Sequence, residues 1–131
     1  MRQRTLAFPH AASIIFTDGS QKKNTPNCGC GVFTSNNASI NASFQFTGVQ
    51  TIMRAELSAI SYALGRAPTT ENITIATDSL SSLQAIRKAL NKPHRVRHHR
   101  SAKLLQQIVR QLQQRHASGS HARECVAACL M

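Results

Sequence analysis

Two short apolar runs, Ser13-Ile14-Ile15-Phe16-Thr17 and Ile73-Thr74-Ile75-Ala76-Thr77, each stop at an aspartate, and a helix-patterned segment lies between them. Runs of this length, ended by polar turn residues, read as buried central strands. Joined through a helix they form a β-α-β crossover, which makes the two strands parallel neighbours. Two further strands lie between them in sequence, at residues 29–34 and 42–46, the second alternating apolar and polar side chains with a period of two. The loop 19–27, with two lysines and a proline, and the turn at Asn36-Asn37 join the first three strands as an antiparallel meander.

The period then lengthens. Across residues 51–66, Met53, Leu57, Ile60 and Leu64 recur at spacings of four, three and four, one face of a helix that Pro68 ends. Ser79 is placed to cap a second helix whose Leu80, Leu83, Ile86 and Leu90 share a face, stopped by Asn91-Lys92-Pro93. A third helix starts at Ser101, turns Leu104, Leu105, Ile108, Val109 and Leu112 inward, and ends near Gly119. The order β-β-β-α-β-α-α predicts an α/β fold with a mixed central sheet and flanking helices. Residues 1–12 read as a loose lead-in, 13–119 as the domain, and 120–131 as an atypical tail that forms a short final strand or an irregular end.

Lysine and arginine number 16 against five acidic residues, a formal net charge of +11. Such an excess attracts phosphate polymers or anionic membranes. No apolar stretch approaches the roughly 20 residues that span a bilayer, and Met1-Arg2-Gln3-Arg4 does not lead into a signal-peptide core. The expected partner is nucleic acid, with no membrane, and the expected location is intracellular, cytoplasmic or nuclear. The absence of tryptophan and 5% aromatic content argue against a carbohydrate cleft. Cys28, Cys30, Cys125 and Cys129 lack zinc-site spacing and read as reduced, partly buried thiols.

Three of the five acids are Asp18, Glu56 and Asp78. The crossover brings Asp18 and Asp78 to one sheet edge. Glu56, one turn from Ile52 and Ile60, lies beside the buried stripe of its helix and can face the gap between them. Singly, each has an ordinary role in a turn, on a helix surface or at a helix start. Together they repel one another unless cations intervene. Oxygen ligands of this kind suit Mg²⁺ or Mn²⁺, and two such ions about 4 Å apart can serve phosphodiester hydrolysis. Glu71 and Glu124 have no comparable setting and read as solvated.

The segments Phe16-Thr17-Asp18-Gly19-Ser20, Gln50-Thr51-x-x-Arg54-Ala55-Glu56-Leu57-x-Ala59 and Ile75-Ala76-Thr77-Asp78-Ser79 resemble the ribonuclease H family, in the form found in non-LTR retrotransposon polyproteins. The resemblance spans about residues 13–116. It implies a sheet in the order 3-2-1-4-5, with the last strand short or missing. It also implies an endoribonuclease that cuts the RNA strand of an RNA–DNA hybrid by two-metal catalysis. Asp18 would bridge both ions, with Glu56 and Asp78 completing the ligands of the second. The family carries a fourth aspartate on a C-terminal helix, after a loop bearing a histidine. No aspartate follows Asp78 here, and Ile52-Met53 stand where the family often has an asparagine. The expectation is therefore a C-terminally truncated domain of weakened activity, monomeric or part of a larger polyprotein. The alternative is a catalytically inactive basic RNA- or hybrid-binding module, or the remnant of a decayed retroelement.

The run from Arg87 to Arg100 is rich in arginine, lysine and histidine and holds no acid. It reads either as a solvated face or as a phosphate-binding segment, in which Arg95, Arg97 and Arg100 contact the hybrid. Ser20, Thr51 and Ser79, beside the carboxylates, are candidates for hydrogen bonds to phosphate or sugar.

Overall fold

The computed structural model describes residues 4–5, 13–35, 38–68, 73–117 and 126–130. Strands β1 (Arg4–Thr5), β2 (Ser13–Gln21), β3 (Cys28–Phe33) and β4 (Ala42–Gln45) precede helix α1 (Ile52–Arg66). Strand β5 (Ile73–Thr77), helices α2 (Leu80–Asn91) and α3 (Ala102–Ala117), and strand β6 (Val126–Leu130) follow. The strands form one sheet in the order β1-β6-β5-β2-β3-β4. Within it, β4-β3-β2-β5 is the expected 3-2-1-4 arrangement: β2, β3 and β4 pair antiparallel as a meander, and β5 lies parallel to β2. The tail supplies the fifth strand, since β6 pairs parallel with β5. Arg4–Thr5, inside the expected lead-in, pairs antiparallel with β6 and adds a sixth.

Burial follows the sequence pattern. All five residues of β5 are buried, as befits a strand between parallel neighbours. In β3, by contrast, Cys28, Cys30 and Val32 are buried and alternate with more exposed residues. Cys28 and Cys30 are free thiols, as expected of reduced core cysteines. Helix α1 begins where the Thr51 hydroxyl accepts from the Arg54 amide at 3.1 Å. It buries Leu57, Ile60 and Leu64, together with Ala55, Ala59 and Ala63, whose small side chains admit close approach to the sheet. From α3, Leu105, Ile108 and Leu112 join this core.

Two expectations are corrected. Strand β2 does not end at Asp18. Beyond the last parallel pair, Thr17 with Thr77, it runs on to Gln21 because β3 still pairs with it, Ser20 opposite Gly29 and Gln21 opposite Cys28. Leu80 is not on the buried face of α2, for it is 48% exposed, and the buried residues are Ser82, Leu83, Ile86 and Ala89. Six positions before Ile86, it lies about a third of a turn from the centre of that stripe.

One buried charge has no counterpart in the sequence pattern. Arg115 on α3 is 1% exposed and donates from Nη1 to the Ala67 carbonyl at 3.2 Å and from Nη2 to the Pro68 carbonyl at 2.7 Å. It thereby supplies donors at the carboxyl end of α1, where helix carbonyls lack partners of their own.

Candidate functional site

Asp18 and Asp78 stand one step beyond the last register pair of two parallel strands, so they sit at the same height on the sheet. Helix α1 reaches that point because residue 19 is a glycine. A Cβ on Gly19 would lie 2.6 Å from the Glu56 nitrogen and 2.9 Å from Ala55 Cβ, closer than packed atoms come. The helix therefore rests on the strand backbone and carries Glu56 inward, to 5% exposure. One carboxylate oxygen from each of Asp18, Glu56 and Asp78 falls within 4.8 Å of the others.

The electrostatics of the cluster are unfavourable without a cation. Burial is the main force that pushes the Glu56 carboxyl up to about 7; the Gly19 amide opposes this, Asp78 and Asp18 add to it, and a hydrogen bond from Thr77 opposes it further. Asp18 is also raised, by burial and by Asp78, against the Gly19 amide. Among the described residues, none of the groups acting on either carboxyl is a lysine or arginine. Three mutually repelling oxygen donors suit a hard divalent cation.

Of the expected contact residues, Thr51 and Ser79 have structural tasks. Thr51 caps α1, while the Ser79 hydroxyl accepts from the Ser82 amide at 3.3 Å and lies 2.7 Å from Ser82 Oγ. Ser20 is exposed, two residues past Asp18 on β2. The basic segment folds as a 3-10 turn over Pro93–His98 between α2 and α3. There Arg95 lines a groove of about 600 Å³ with Lys88, Lys92 and His99, above Met53, Ala85 and Leu105. Arg100 is exposed and is not part of that lining. The Arg97 side chain lies outside the described residues, as do Glu71 and Glu124.

Sequence reasoning does not reach several site residues. In the sequence Thr77 reads only as the end of a strand, yet its hydroxyl lies 3.4 Å from Glu56 Oε2. A polar residue closing an otherwise apolar strand beside Asp78 is the available signal. Lys88 and Lys92 read as part of a charge run. Their spacing of four, across the last turn of α2 and its cap, is the sign that they line a common groove.

Two parallel strands bring Asp18 and Asp78 to one height, and Glu56, between them in sequence, stands beside them in space, an arrangement that could hold a divalent cation. The sequence model of the RNase H family matches residues 10–126, and the chain belongs to that family. No curated protein matches it. No helix among the described residues is long and apolar enough to cross a membrane.

Proposed function

We propose that this chain is an endoribonuclease that hydrolyses the RNA strand of RNA–DNA hybrids with divalent metal ions held by Asp18, Glu56 and Asp78. The observation that carries the reading is the convergence of three carboxylate oxygens within 4.8 Å in a chain of net charge +11. A basic protein attracts the phosphate backbone, and local negative charge inside it is useful where cations must meet that backbone. Bound Mg²⁺ or Mn²⁺, two ions in a complete site, would supply an activated water and charge stabilisation at the leaving oxygen. The residues of the chain do the rest. Asp18, Asp78 and Glu56 would hold the ions, the Thr77 hydroxyl orients Glu56, and the Gly19 amide favours its ionised form.

The groove lined by Lys88, Lys92, Arg95 and His99 gives the substrate backbone a cationic bed on the α2 side, with Arg97 and Arg100 adding charge along the same segment. Ser20, two residues past Asp18, is a candidate for hydrogen bonds to phosphate or sugar oxygens, as are Thr51 and Ser79 alongside their capping roles. The wording of the three motifs supports a retroelement polyprotein as the setting. The test is incubation of an end-labelled RNA–DNA hybrid with Mg²⁺ or Mn²⁺. Wild type cuts the RNA strand and Asp18→Asn does not; full activity in Asp18→Asn would reject the assignment.

A second reading is a hybrid-binding module without turnover. It draws on the family's four-carboxylate pattern, of which the described residues supply three. That reading predicts salt-sensitive hybrid binding that ignores metal and is unaffected by Asp78→Asn.

A further inference from the structure

One buried thiol touches the backbone that carries the metal-site glutamate. Cys30 is 3% exposed, and its Sγ donates to the Ala55 carbonyl oxygen at 3.2 Å. That carbonyl belongs to the peptide unit joining Ala55 to Glu56. The register partner of Cys30 across the sheet is Gly19. Gly19 abuts the same peptide unit, since a Cβ on it would lie 2.6 Å from the Glu56 nitrogen and 2.8 Å from the Ala55 carbonyl carbon. A single cross-strand pair thus meets one peptide of α1 from two sides, Gly19 at its nitrogen and Cys30 at its oxygen. The Gly19 amide in turn favours the ionised forms of the Glu56 and Asp18 carboxyls.

We propose that Cys30 is a positioning residue for the metal site: its thiol, as donor to the Ala55 carbonyl, sets how the first turn of α1 seats against β2 and β3, and so where the Glu56 carboxylate meets Asp18 and Asp78. The proposal rests on the metal-site reading above. A helix carbonyl has two lone pairs, and its own i+4 amide uses one, so the other is open to the thiol. Burial first, then Glu56 and Cys28, push the Cys30 thiol up to about 11, which keeps it an S–H donor at neutral pH. S–H···O bonds are weak individually. This one acts on the peptide bearing a ligand, where a displacement of a few tenths of an ångström changes the fit to an ion that demands near-ideal geometry. Cys28, two residues away, adds a parallel tie: its amide donates to Gln50 Oε1 at 2.9 Å, and Gln50 Nε2 donates to the Phe46 carbonyl at 2.8 Å, which fixes the approach to Thr51.

The test is calorimetric titration of Mn²⁺ into the full chain and its variants, with circular dichroism and melting recorded alongside. Cys30→Ser keeps a donor. Cys30→Val keeps an apolar, strand-compatible side chain without one, and Cys30→Ala removes both donor and bulk. Wild type and Cys30→Ser should bind within about twofold of each other, and Cys30→Val and Cys30→Ala about three- to tenfold more weakly, with the helical signal retained. Equal affinity in all four proteins overturns the proposal. So does an equal loss in Cys30→Ser and Cys30→Val, which would make packing rather than the donor responsible. If neither apolar variant folds, Cys30→Ser decides: Mn²⁺ affinity within about twofold of wild type supports the donor role, and a loss of about threefold or more contradicts it. Asp18→Asn separates the two levels, because Mn²⁺ binding that is indifferent to Asp18 removes the metal-site reading itself.

Discussion

The Thr77 hydroxyl connects the end of β5 to the buried acid on α1: it donates to Glu56 Oε2 at 3.4 Å and accepts from the Ser79 amide at 3.1 Å. Thr77 is itself 1% exposed, while Ser79 is partly exposed. Thr77→Val preserves shape and β-propensity while deleting both. The expected cost is about 1 kcal/mol in stability, from the lost Glu56 bond and a partly buried amide left without its acceptor. The Glu56 carboxyl should also titrate at higher pH, since the deleted bond favours its ionised form. Urea unfolding and carboxyl-carbon NMR measure the two effects.

Glu56 also gives the metal-free protein a pH dependence of definite sign. Its carboxyl is raised from 4.5 to about 7 in the folded chain. Between those values the folded state binds more protons than the unfolded state. Stability therefore rises as the pH falls through that window and is lost as it climbs back. The contribution is roughly 2–3 kcal/mol at most, and Glu56→Gln should flatten it. Saturating Mn²⁺ should invert the trend, because ionised carboxylates are the ligands. Melting curves at pH 5 and pH 8, with and without the ion, check both statements.

Gly19→Ala places a methyl group against the Ala55–Glu56 peptide, with no flexible side-chain end to yield. Overpacking of this kind costs about 1–3 kcal/mol or more. Because α1 must lift off β2, the variant should lose Mn²⁺ affinity along with stability. A crystal structure of the variant would show the displacement directly.

Much of this arrangement is legible in the residues. The two apolar runs ending in aspartate predict the parallel pair, and the four-three-four spacing from Met53 to Leu64 predicts the helix that bears Glu56. Turn-forming and periodic residues carry such information locally. What stays hidden depends on packing between distant segments. Gly19 looks like half of an Asp-Gly turn, yet it lies within a strand and is small because a helix rests on it. Arg115 looks like one cation on a basic helix, yet it is buried against carbonyls 47 and 48 positions earlier. Strand ends shift for a related reason, since β2 extends as far as β3 can pair with it.

The groove beside α2 predicts how hybrid binding responds to salt. Replacing Lys88, Lys92 and Arg95 together with alanine should weaken binding and lower the slope of log affinity against log salt by roughly 0.7–0.9 for each phosphate no longer neutralised. Arg100→Ala, outside the groove lining, should change the slope less. Fluorescence anisotropy with a labelled hybrid in Ca²⁺, over a range of salt concentrations, gives both slopes.

The proposed chemistry requires a divalent cation between Asp18, Glu56 and Asp78. Substoichiometric Mn²⁺ added to ¹⁵N-labelled protein tests it most directly, because a paramagnetic ion broadens the amides nearest to it. Early loss of the Gly19, Glu56 and Asp78 signals is expected, with Lys88 to Arg95 spared, and no such pattern in Asp18→Asn. Broadening centred on His94 to His99, or the same pattern in Asp18→Asn, would contradict it.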